Sequence, residues 1–224
     1  MAFVQEFETA YNSNTSPKTT AAFDVLAGDI LVGMAVIADN DASVASSKAG
    51  PTLTWTQQEV TPNVGFAPLA ALWTTPITAD ATGMTVTFTR SGINAHYGGN
   101  VTTWRSVDGV GDAVQAMSSS GAPLANIVTE RPGSTIVTAI ADISTADGST
   151  RVWRTGAGAL TELAYTTTAQ YTMYMGYHAA AGSAGTYGIG LTAPTGQDYA
   201  MVAVEILPIL PSEPGGFMYT MGQR

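Results

Sequence analysis

The chain has 224 residues, of which 45% are hydrophobic and only 11% charged; its formal net charge is -9, and it contains no cysteine. Its few cations form no run that could neutralise phosphates, which excludes nucleic acid and anionic membrane surfaces as partners. Without thiols there is no disulfide, thiolate nucleophile or cysteine metal site; a chain this long buries roughly 70% of its unfolded surface and needs no staple.

The opening, MAFVQEFETAYN, has neither a basic n-region nor an apolar h-region, so synthesis in a cytoplasm is expected. Ala2–Thr9 alternates as an edge strand, Tyr11–Lys18 is a loop, and Thr20–Val25 is short and extended. Asp29–Ala38 is apolar on both faces, as a covered central strand would be, but too short for the ~20 residues of a membrane span. The polar stretch Asp39–Lys48 breaks it. Thr52–Val60 and Phe66–Thr75 follow, carrying Trp55 and Trp73, and Met84–Arg90 alternates apolar residues with threonine.

Tyr97–Val107 is the next strand, and Val110–Ala125 is the least regular part and the weakest candidate boundary. Ser134–Ile143 reads as a second buried strand. Arg151–Arg154, Glu162–Thr166, Gln170–Ala179, Gly185–Thr192 and Tyr199–Leu207 complete about a dozen strands, and no segment holds a helical period. The expected fold is therefore all-β: an antiparallel, jelly-roll-like β-sandwich with little helix. Residues 1–209 are read as one domain, with two units of ~100 residues as the rival partition. Ile30, Val32, Val36, Ile136, Ile140, Val202 and Val204 are the expected core.

No motif for catalysis emerges. His96 and His178 lie in strand-like sequence without a nucleophile elbow, and most acids occupy turns, where they cap their own backbone. Glu59, Glu130, Glu162 and Glu205 are the acids nearest strands, where a pair could flank a sugar. Asp39 with Asp41, and Asp108 with Asp112, offer hard oxygen ligands for calcium in loops, though solvated turns explain them as well. The glycines of Gly182–Gly190 fit a turn into a strand better than a phosphate loop, because no helix follows. The sequons at Asn14 and Asn100 mean little without an export signal. Trp55, Trp73 and Trp104 are expected in the core, whereas Trp153 and Tyr97 are candidate glycan contacts. No cofactor or metal is expected.

After Ile209 the chain reads LPSEPGGFMYTMGQR. Pro208, Pro211 and Pro214 end the last strand and Gly215-Gly216 frees its direction, leaving residues 210–224 as a docking tail. Its apolar side chains Phe217, Met218, Tyr219 and Met221 are the candidate partner-docking residues.

The succession AGDILVGMAVIA, LTWTQQEV, PLAALWTTPIT, MTVTFT, WRSVDG and YAMVAVEILP resembles the jelly-roll-like minor tail and capsid-decorating proteins of tailed bacteriophages, common among phages of actinobacteria. The resemblance spans most of residues 20–209 and implies a virion component without catalysis, often in several symmetric copies. Its partners would be other virion proteins and further copies of itself, with loops open to a host-surface glycan. A free-standing carbohydrate-binding module is the reading from a different class.

Overall fold

The computed structural model describes residues 1–8, 15–37, 43–49, 53–62, 68–91, 96–144, 148–167 and 171–211. Among them there is no helix, and the strands are antiparallel throughout, so the all-β sandwich expected from the alternating pattern is what the chain adopts. The first half of the chain supplies β1 (Ala2–Glu8), β2 (Lys18–Thr19), β3 (Phe23–Val25), β4 (Ile30–Ile37), β5 (Ser43–Ala49), β6 (Thr56–Val60), β7 (Leu69–Pro76), β8 (Ala81–Ser91) and β9 (Tyr97–Arg105). The second supplies β10 (Val107–Ser118), β11 (Leu124–Thr129), β12 (Thr135–Asp142), β13 (Val152–Trp153), β14 (Leu160–Thr167), β15 (Thr172–His178), β16 (Gly185–Ala193) and β17 (Tyr199–Pro208).

The two halves repeat one topology. The first builds a five-stranded sheet in the order β1-β9-β4-β7-β6 and a smaller one in which β8 pairs with β2, β3 and β5. The second builds β10-β17-β12-β15-β14 and a smaller sheet β11-β16-β13. Each half is thus a jelly-roll-like sandwich, the five strands of one large sheet matching the five of the other in order and β8 matching β16.

Local chemistry repeats as well. Gly28, at φ 89°, precedes β4; its amide donates to the Ile77 carbonyl (2.8 Å) while the Ile77 amide donates to the Asp29 carbonyl (2.8 Å). Gly133, at φ 76°, precedes β12; its amide donates to the Ala181 carbonyl (2.7 Å) and the Ala181 amide to the Ser134 carbonyl (2.6 Å). These glycines tie Ile30 to Thr135 and Val32 to Val137, and the registers carry the match outward to Tyr97 and Tyr199, which open β9 and β17.

The large sheets pack face to face. Val32, Met34, Val36, Ala70, Leu72 and Trp104 of one half meet Val137, Ala139, Ala141, Met173, Met175, Val202, Val204 and Ile206 of the other in a single core. β6 lies across from β10, β7 from β17 and β4 from β12, whereas the equivalent strands on the other side, β9 and β15, stand farther apart. The outward faces are covered by the small sheets: Leu31, Ala35, Tyr97 and Val101 pack with Phe23, Met84, Val86 and Phe88, and Ile136, Ile140, Tyr174 and Met201 pack with Ile127, Ile189 and Leu191. Four layers result, and the seven expected core residues are all buried.

Three readings are corrected. The stretch Val110–Ala125 is mostly strand, β10 running through it to Ser118 with a register shift between Val110 and Ala113, and the change of half falls instead at Ser106, a one-residue joint at φ 57°. The break read over Asp39–Lys48 contains β5, which lies along the threonine-rich β8. The strands outnumber the expected dozen because pieces as short as β2, β3 and β13 carry too few residues to show a period.

Candidate functional site

The seam between the halves carries an aromatic groove. Phe3 on β1 lies edge-on to Trp104 on β9 (centroids 5.3 Å apart, 61° between planes) and stacks on Tyr177 of β15 (5.1 Å, 25°); Trp104 and Tyr177 stand perpendicular at 5.0 Å. Strand alternation sends all three to the inner faces of the large sheets, where the sheets stop overlapping. Trp104 is the buried floor, and its indole N–H donates to Thr102 Oγ1 (2.9 Å); Phe3 and Tyr177 are half-buried. Beside them opens a cavity of about 320 Å³ bordered also by Met1, Gly133, Thr135, Ala179, Ala180 and Pro208. Ala180 holds a left-handed φ of 56°, a conformation unusual for a residue with a Cβ.

Trp153 belongs to a second aromatic group, on the outer side of the second half. Its indole N–H donates to Glu162 Oε2 (3.0 Å), Arg151 grips the same carboxylate with two donors, and the Arg151 guanidinium lies 3.8 Å from the centre of the Tyr165 ring. Burial alone would raise the Glu162 carboxyl, but the Arg151 and Trp153 donors and the Arg151 charge outweigh it and hold the group below its ordinary range. Glu162 is therefore committed as a structural anion. Trp153 is half-buried against the outer core rather than standing free.

Tyr97 is withdrawn as a glycan contact. It is fully buried, its hydroxyl donates to the Phe88 carbonyl (3.1 Å), and the Lys18 ammonium sits 4.6 Å from its ring centre while donating to the Tyr97 carbonyl (2.5 Å). A tyrosine opening a strand reads from sequence as a rim residue, but here its ring fills the space beneath β8.

The remaining candidates do not converge. Asp108 pairs with Arg131, whereas Asp112 Oδ2 accepts the Val128 amide (3.0 Å); Asp39 and Asp41 lie outside the described residues. Among the described residues no three His, Cys, Asp or Glu side chains cluster as metal ligands would. Glu205 is buried and accepts the amides of Asp112 (3.2 Å), Glu130 (2.9 Å) and Arg131 (3.4 Å). Burial, with a further push from the Asp112 charge, raises the Glu59 carboxyl although the Val60 amide opposes it. His96 meets Tyr171 edge-on at 5.5 Å, and His178 is buried with Nδ1 3.2 Å from the Gly158 carbonyl. Phe217, Met218, Tyr219 and Met221 lie outside the described residues.

The groove went unread in the sequence because its three rings come from strands far apart along the chain. Alternation marks each as inward-facing without naming its neighbours. No protein-family model, curated protein or solved structure matches the chain.

Proposed function

We propose that the chain is a non-enzymatic structural protein of a tailed-phage virion, a minor tail protein docking on other virion proteins, with a capsid-decorating position as the near alternative. The observation that carries this reading is the architecture: two jelly-roll-like halves fused back to back into one four-layered block. Such a block supplies a stiff body able to carry an attachment element. The motifs that resemble phage tail and decoration proteins support the same reading.

The attachment element in this reading is residues 210–224. Burying Phe217, Met218, Tyr219 and Met221 on a neighbouring subunit would supply roughly 6–12 kcal/mol before the entropy of ordering the tail is subtracted. In phage particles purified from an infected host, an antibody to the chain should detect it. Deleting residues 210–224 should leave the melting temperature unchanged while the truncated chain no longer co-sediments with particles. Co-sedimentation of the truncated chain, or absence of the full chain from particles, would overturn the reading.

A further inference from the structure

We propose that the seam groove formed by Phe3, Trp104 and Tyr177 is a binding site for a neutral saccharide, a site that goes beyond the virion reading and stands without it.

The first argument comes from the repeat. The strand registers match Trp104 with Ile206 and, through Val32 and Val137, match Tyr177 with Thr74. Phe3, which faces Trp104, matches Val110, which faces Ile206. The topologically equivalent positions are therefore Val110, Ile206 and Thr74, two aliphatic side chains and a threonine. There β7 and β17 lie close together, whereas β9 and β15 are farther apart, so the three rings stand in a wider gap that they leave open as the cavity. Ala180, in its strained backbone conformation, borders that same side. Such strain persists where the surroundings impose it and is concentrated at ligand clamps.

The second argument is the chemistry of the lining. A cavity of about 320 Å³ falls at the lower end of small-molecule pockets, which run from ~300 to 1,000 Å³. No bordering side chain is charged. The stacked Phe3–Tyr177 pair offers an apolar surface of the kind on which the C–H face of a pyranose rests. Two hydroxyl-bearing residues, Thr135 and Tyr177, border the same space and are the candidate partners for the hydroxyls of such a ring. A ligand with one apolar face, a hydroxylated rim and no charge matches this set. Anionic polysaccharides are disfavoured by a chain of net charge -9.

The test is a titration of the isotope-labelled full chain with glucose, galactose, mannose, N-acetylglucosamine and their disaccharides, followed by NMR. Saturable shifts are expected at Phe3, Thr135, Tyr177 and Ala180 with at least one sugar, at a Kd of about 1 mM. Tyr177→Phe should weaken that binding about tenfold by removing one hydroxyl. Because Tyr177→Ala could disturb the core, the blocking variant is Ala179→Trp, which starts from an exposed residue and fills the groove without touching the packing. It should abolish the shifts while preserving the melting temperature. Absence of saturable shifts with every sugar, or binding that survives Ala179→Trp or centres on Trp153, would overturn the assignment. Either result leaves incorporation into particles unchanged, so it separates the groove from the virion reading.

Discussion

His178 is fully buried on the outward face of β15, opposite Leu160 and Ile136, and its Nε2 has no hydrogen-bond partner. Burial lowers its pKa below the ordinary 6.5, and the Gly158 carbonyl, which favours the charged ring, does not offset this. The folded protein therefore keeps the ring neutral where the unfolded chain would already take up a proton. Stability from this source is complete above about pH 6.5 and is lost as the pH falls from there towards the lowered folded value. Melting temperatures measured across that range should decline on the acid side, and the decline should be shallower in His178→Gln. An equal decline in both would place the acid sensitivity elsewhere. The residue also marks a limit of sequence reading: MGYHAAA shows a strand-edge histidine, but only the pairing with β12 and β14 reveals that no partner reaches the second nitrogen.

At the scale of single elements, the two glycines before β4 and β12 show how the chain sets its central strands. Both adopt left-handed φ values, and a Cβ at either would meet nothing within 4 Å, so the cost of adding one is conformational rather than steric. Gly28→Ala and Gly133→Ala should each lower stability by about 1–2 kcal/mol in denaturant titrations, with closely similar values because the turns are equivalent. Gly99→Ala would act by another route, since its Cβ would come within 2.4 Å of the buried Phe88 ring. The central strands themselves were plain in the sequence, because a strand covered on both faces must be apolar at every position. The repeat was not. Period-two alternation is common to every strand, and the halves share little more than a glycine before one strand and a tyrosine opening another. The one-residue joint at Ser106 provides no linker composition to betray it.

For the whole molecule the shared core is decisive. Each large sheet buries its inner face only against the other, so neither half keeps a complete core when separated. Calorimetry should accordingly show one cooperative transition, and Val202→Ala in the second half should lower the same transition as Val32→Ala in the first, each by roughly 0.5–3 kcal/mol. Two resolved transitions would mean that the halves fold independently. The joint between them has a further consequence. Ala2 pairs with Arg105 and Val107 with Pro208, and both Met1 and Pro208 border the seam groove, so the chain enters and leaves the block at nearly the same spot where it crosses from one half to the other. The order of the halves along the chain is then almost a matter of which bond is left open: a circular permutant starting at Val107, with Pro208 tethered to Ala2 and ending at Arg105, describes the same block.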